Sequence, residues 1–467
     1  MLLAATGAYY RPGVDGKFEA ENINPHLCTH INYGFAKLDA SNRIALYDVD
    51  LDSGDEDWSS GLTWGHGMIR RMNELRNYNP NLATLISIGG WNEGSNKYSA
   101  MVSNPASRAT FVESCVQFLK KYELDGLDFD WEYPGMKAAG EADRVPGRDE
   151  DKEDYVKLLR ELRSAFEPYG FLLTAAVSAG KPTIDRAYNV PEVSSLLNLI
   201  FVMTYDFWGG WSPNVWHNAP LYPLENATGI DKEFTTQFAI DYWIEKGADP
   251  AKLIQGFPLY GRTFTLKDSK DNGLGAPAIG KGGNPGPITR IIGMLGYNEI
   301  CSMVQNGWQE HYNETQEVAY ATNGNQFVGY DNVRSIKKKL DFLLSRKLGG
   351  AMIWSIDTDD FSGHCGAGKY PLLKTLSRTL NKIDGPDVKI PRTHATTPRP
   401  NSGSSSTSSR PWEWTTVRPS TTSARPSTQK LTTISQKVPS TNKPTEALPT
   451  TTRPIAQPEP NFTCTKA

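Results

Sequence analysis

The sequence predicts an α/β protein: a TIM (β/α)8 barrel with a small α+β insertion between its seventh strand and the helix that follows, then a disordered stalk. Three observations lead there. β-rich runs alternate with helical patterns through residues 1–384, one connection is too long to be a loop, and the composition changes abruptly at Gly385.

Strands are read near residues 29–36, 82–88, 124–131, 171–177, 198–205, 253–259 and 350–355. Helices are read near 67–78, 107–122, 151–168, 232–246, 333–347 and 370–382. A short, degraded first strand at the N-terminus completes eight units. The competing doubly wound sheet would want G-x-G-x-x-G after its first strand, and none is there. About seventy residues separate the seventh strand from the helix at Val333, and they hold strand-like pieces at 318–322 and 326–330. A loop that long inside a compact domain argues for a subdomain, placed at about 263–332, which would wall the barrel mouth.

The barrel domain is expected over 1–384. From Gly385 to Pro460, Thr, Ser and Pro dominate, and Trp412 and Trp414 are the only aromatic residues. Such a segment cannot bury enough surface to fold and reads as an extended, O-glycosylated linker. Residues 461–467 then resume as NFTCTKA.

The net charge of −3 is unevenly spread: residues 1–384 carry 38 basic and 48 acidic side chains. An acidic domain with no basic stripe excludes nucleic acid as a partner. No apolar run approaches the ~20 residues of a membrane span. The start, MLLAATGAYYRPG, lacks the basic n-region and length of a secretion signal, yet the rest of the chain fits export, so the leader is expected to be missing here. The five cysteines have no metal-ligand spacing, and His26, His30, His66, His217, His311 and His364 are scattered, so neither metal nor cofactor is expected.

Residues 124–134 read LDGLDFDWEYP. A strand repeats every two residues, so Asp128, Asp130 and Glu132 share one face and Leu127, Phe129 and Trp131 the other. With helices over the apolar face, the acids must project into the barrel, where crowding raises carboxylate pKa values. Glu132 ends the strand, at the face where barrel enzymes do their chemistry. Asp125 has the opposite parity and reads as structural.

The run D-G-L-D-F-D-W-E resembles the D-x-x-D-x-D-x-E signature of family 18 glycoside hydrolases, the chitinases, and most closely arthropod chitinases with a Ser/Thr-rich stalk, such as the mite chitinase allergens. SIGGW at 87–91, MTYD at 203–206, YGRTF at 260–264 and MIWSID at 352–357 are similar to that family's other strand-end motifs, in the same order. The resemblance implies chitin and chito-oligosaccharides as partners and a substrate-assisted retaining mechanism. Glu132 would be the proton donor, Asp130 would orient the substrate acetamide, Asp128 would tune Asp130, and Tyr205 would hold the acetamide oxygen. Trp354 would floor the site and Trp91 stack further along the cleft. Phe35, Met203, Asp206, Tyr260 and Arg262 would line it, and Trp208 and Trp211 would meet leaving-side sugars. It also implies a Cys301–Cys365 disulfide, an unpaired buried Cys115, and an extracellular monomer.

The chain departs from the family at its first strand. Leu2, Leu3 and Gly7 stand where the family usually has a cysteine, an aromatic and a tryptophan, leaving Cys28 without its partner and two sugar contacts absent. Barrel closure is expected to weaken. Residues 461–467 resemble only the beginning of a chitin-binding module. The sequons at Asn226, Asn313 and Asn461 match N-glycosylation sites. The leading reading is a secreted endo-acting chitinase. The alternative is a lectin-like chitin binder on an inactive scaffold, against which the intact Glu132 argues.

Overall fold

A computed structural model describes residues 2–13, 15–53, 56–57, 62–63, 66–136, 147–381 and 390. The stalk and the segment after it lie outside the described residues. Eight parallel strands close a barrel: β1 (Leu2–Ala5), β2 (His30–Leu38), β3 (Ala83–Gly89), β4 (Gly126–Asp130), β5 (Leu172–Ser178), β6 (Leu199–Met203), β7 (Leu253–Pro258) and β8 (Gly350–Trp354). The first strand does close the ring. It pairs with β2 from Leu2↔Ile31 to Ala5↔Gly34, and with β8 only at Leu2↔Ile353.

Among the described α-helices, those starting at Val49, Pro105, Thr236 and Val333 begin where a short polar side chain satisfies a free backbone N–H. The helix Pro105–Lys121 starts with Pro105 in its first turn, and the Asn104 carboxamide oxygen accepts from the Ala106 N–H at 2.8 Å. Lys120 and Lys121 sit in its last turn, opposite the helix dipole's negative end. The helix expected over 232–246 is instead two pieces, Ile230–Glu233 and Thr236–Glu245. Thr235 between them is extended and caps the second piece through the Phe238 N–H. Five further helices among the described residues, Val49–Asp52, Asn96–Ser103, Lys181–Ala187, Val190–Leu196 and Tyr297–Gln305, were not expected.

The insertion after β7 holds a five-stranded antiparallel sheet ordered Met294–Gly296, Tyr260–Thr265, Gln326–Tyr330, Val318–Asn323, Gln309–Asn313. Its first strand starts at Tyr260, so Tyr260 and Arg262 belong to this sheet and not to a barrel strand. A disulfide between Cys301 and Cys365, with Cα atoms 6.0 Å apart, ties its helix to the segment after β8. Lys339 of the helix Val333–Ser345 donates to Asp331 Oδ2 at 2.6 Å, and both are almost fully buried.

Candidate active site

β4 has two unlike faces, as its alternation requires. Leu127, Phe129 and Trp131 are buried beneath helices. The Phe129 ring lies 5.8 Å from Phe111 and 5.9 Å from Tyr155, rings carried by the helices Pro105–Lys121 and Asp151–Phe166. Trp131 Nε1 donates to Ser95 Oγ at 2.6 Å. The other face carries Asp128 and Asp130, while Glu132, expected to end the strand, lies two residues past it; the three are 0%, 6% and 4% exposed, so all three carboxylates are buried.

Asp128 is the deepest. In register it faces Ser87 on β3 and Thr174 on β5. Both hydroxyls donate to it, Ser87 Oγ to Oδ2 at 2.5 Å and Thr174 Oγ1 to Oδ1 at 2.7 Å. Burial disfavours its charged form and pushes its pKa up to about 6, while the hydroxyls pull the other way. Neither hydroxyl was singled out in the sequence, since a Ser or Thr in a buried strand announces nothing until its neighbour's register is known.

The end of β3 approaches β4 closely. Gly90 N–H donates to the Asp130 carbonyl at 2.8 Å, and a Cβ on Gly89 would lie 2.1 Å from that oxygen. Gly89 and Gly90 also have φ of 114° and 83°, so the Gly-Gly pair is what lets the two strands meet beside Asp130. A Cβ on Gly90 would strike the Phe35 ring at 2.9 Å.

Tyr205 follows β6 and is buried, its hydroxyl 3.7 Å from Met352 Sδ. Burial above all, then the neighbouring Tyr260 and the negative charges of Asp130, Asp206 and Glu132, hold its phenol well above the usual value. Tyr205 therefore keeps its proton and remains a donor near the acids. Tyr133 is raised in the same way, by burial first and then by the charge of Glu132.

Asp206 adopts φ 56°, a left-handed turn that aspartate tolerates, and its N–H is fixed by Asn218 Oδ1 at 2.9 Å. Its Oδ1 accepts from Tyr260 Oη at 2.7 Å and from Arg262 Nε at 2.6 Å. Asn218 Nδ2 reaches the Tyr260 carbonyl at 3.1 Å, so this unpredicted residue joins the loop after β6 to the inserted sheet.

Trp354 ends β8 with its ring 5.6 Å from Phe35, and both pack in one cluster with Met203, Tyr205, Tyr260 and Tyr133. The structure thus gathers Phe35, Met203, Tyr205, Asp206, Tyr260, Arg262 and Trp354 around the mouth where β4 ends. Trp211 is 55% exposed, with the Arg262 guanidinium 5.2 Å from its ring centre. Trp91 is half-buried in the 3-10 turn after β3. Trp208 keeps different company: its ring packs on Trp216 at 6.0 Å and Phe234 at 5.4 Å.

Asp125 stands apart from the acids. It accepts from the Thr84 N–H at 2.7 Å and from Arg76 at 3.2 Å, an anchoring role. Cys28 and Cys115 are buried free thiols, and burial pushes Cys28 up to about 12. Among the described residues, the group with metal-ligand spacing is Cys301, His364 and Cys365, but its sulfurs form the disulfide and offer no thiolate. No described helix is long and apolar enough to cross a membrane.

Residues 6–359 match the family described as glycosyl hydrolases family 18. "Probable chitinase 2" of Drosophila melanogaster is 38% identical, over 83% of this chain and 82% of that protein. "Chitotriosidase-1" of Mus musculus is 37% identical, over 83% of this chain and 79% of its own. Among solved structures, a group IV chitinase of Ostrinia furnacalis superposes with a TM-score of 0.75 at 38% identity, covering 81% of this chain and 98% of that one. A group II chitinase catalytic domain from the same insect, solved with a (NAG)5 oligosaccharide, gives 0.75 at 39% identity over 83% and 98% of the two chains. With its barrel, inserted sheet and inward acids in that family's order, the chain belongs to the family 18 glycosyl hydrolases.

Proposed function

We propose that the protein is an extracellular chitinase that cleaves β-1,4 links between N-acetylglucosamine units within a chain. The observation that carries this reading is the acid face of β4, buried and opening beside Tyr205 and Trp354. Glu132 donates its proton to the glycosidic oxygen as that bond breaks. The acetamide oxygen of the preceding sugar attacks its own anomeric carbon, closing an oxazolinium ring with no protein nucleophile. Asp130 accepts from the acetamide N–H and balances the ring's positive charge, while the Tyr205 hydroxyl donates to the acetamide oxygen. Glu132, now ionised, takes a proton from the water that opens the ring, and configuration is retained. Trp354 offers a flat apolar floor, and Asp206 with Arg262 anchors sugar hydroxyls. The catalysis expected of a buried, oriented acid pair needs no cofactor. The Cys301–Cys365 bridge supports an oxidising compartment.

The reading is tested by incubating the protein with N-acetylated chitohexaose and with its fully de-N-acetylated counterpart. Cleavage of the first alone is expected, with β-anomers released initially. Equal cleavage of both would remove acetamide participation, and tight binding of either with no turnover would favour the lectin reading.

A further inference from the structure

Beside the loop after β6 lies a cavity of about 510 Å³ that shares only Trp208 with the residues assigned above. Its size falls within the roughly 300–1,000 Å³ of small-molecule sites. Trp208 and Trp216 supply aromatic wall, and His217 and Gln316 supply polar groups. Those two are 1% and 6% exposed, and neither His217 ring nitrogen nor Gln316 Oε1 has a hydrogen-bond partner among the described residues. Buried polar atoms are normally satisfied, and these lie on residues that line one cavity, so a ligand with donors and acceptors of its own would satisfy them. Burial and the nearby Lys339 hold the His217 pKa down at about 3, so its imidazole stays neutral, with one donor and one acceptor. Glu225 and Asp231 also line the cavity, and no lysine or arginine does among the described residues, which disfavours an anion.

We propose that this cavity is a second saccharide site that takes an N-acetylglucosamine ring, outside the cleft above Glu132. The sugar's apolar face stacks on tryptophan, and its hydroxyls and acetamide N–H meet Gln316 Oε1, the imidazole acceptor and the two carboxylates. Two sources carry that ring: a chito-oligosaccharide from solution, or a glycan on Asn226, which with Ala227 of its sequon Asn226-Ala227-Thr228 lines the cavity. The assignment does not rest on the catalytic reading, because its readout is binding and not turnover.

The test titrates N,N′-diacetylchitobiose calorimetrically into the full chain carrying Glu132→Gln, produced in bacteria without N-glycans. Two classes of site are expected. Trp216→Ala should weaken the second class roughly tenfold and leave the first unchanged. Ala227→Trp, at a half-buried position, should fill the cavity and abolish the second class in a chain that folds normally. Protein secreted from a eukaryotic host separates the sources: loss of the second class there, restored by Asn226→Gln, makes the resident ring the protein's own glycan. A single class in the bacterial protein, unaltered by Ala227→Trp, would overturn the proposal.

Discussion

Two buried aspartates, one beside the inserted sheet and one in the barrel, are partnered in different ways. Asp331, beside the inserted sheet, meets the Lys339 ammonium at 2.6 Å, a neutralising partner. Asp128, in the barrel, meets two hydroxyls at 2.5 and 2.7 Å, which donate but carry no charge. Burial costs both ions solvation, yet only the first is offset by an opposite charge. The second stands near the protonation midpoint at about pH 6 instead. The paired acid ties a helix to the strand before it, whereas the acid cradled by hydroxyls has no opposite charge to hold it ionised. That difference separates the scaffold from the proposed chemistry.

The comparison breaks most visibly at Asp130. Asp130→Asn should cut chito-oligosaccharide turnover about 10²–10³-fold with the fold intact, the scale of losing one charge-stabilising group. A loss under about fivefold would detach Asp130 from the reaction.

On the scaffold side, Lys339→Met leaves Asp331 buried without its ammonium and should destabilise the protein by about 3–5 kcal/mol in denaturant melts. Turnover per folded molecule should not change at temperatures well below the melt. An unchanged midpoint would show that the pair is not what holds the helix Val333–Ser345 in place.

Asp128 sharpens the contrast through pH. Its folded pKa of about 6 lies above the ordinary 3.8, so the folded state keeps a proton that the unfolded chain has lost. The resulting stability is fully present below pH 3.8 and fades as pH rises through about 6. The loss is at most about 3 kcal/mol, and it should be absent in Asp128→Asn. Asp52 and Asp359 are raised by burial too, to about 6 and about 7, so the difference between wild type and variant isolates Asp128. Parallel stability curves from pH 4 to 8 would contradict the assignment.

The smallest effect belongs to Arg76→Ala. Its pair with Asp125 is partly exposed, so stability should fall by no more than about 1 kcal/mol, with activity unaltered. A measurable change in turnover would move Asp125 out of its anchoring role.

Much of this was legible before any coordinates. The two-residue period of LDFDWE fixes which side chains share a face, because strand geometry is local. The placing of Glu132 at the active end follows from the barrel's habit of doing its chemistry at one end, whereas the aromatic site residues came from the resemblance of the other strand-end motifs to the family. The residues that complete the site were not legible. Ser87, Thr174 and Asn218 act through partners on other elements, so their roles depend on register and loop packing. The helices Lys181–Ala187 and Val190–Leu196 were not read from the sequence; Pro182 and Pro191 sit in their first turns, where proline is welcome. The short first strand counted at the N-terminus is found at Leu2–Ala5, although LLAA itself has no period to interpret.

The central claim is that Glu132 supplies the proton for cleavage. Measuring chitohexaose turnover and binding for wild type and Glu132→Gln tests it most directly. The account predicts a fall of about 10³-fold or more in kcat with binding within a few-fold of wild type. Undiminished turnover in the variant would contradict it.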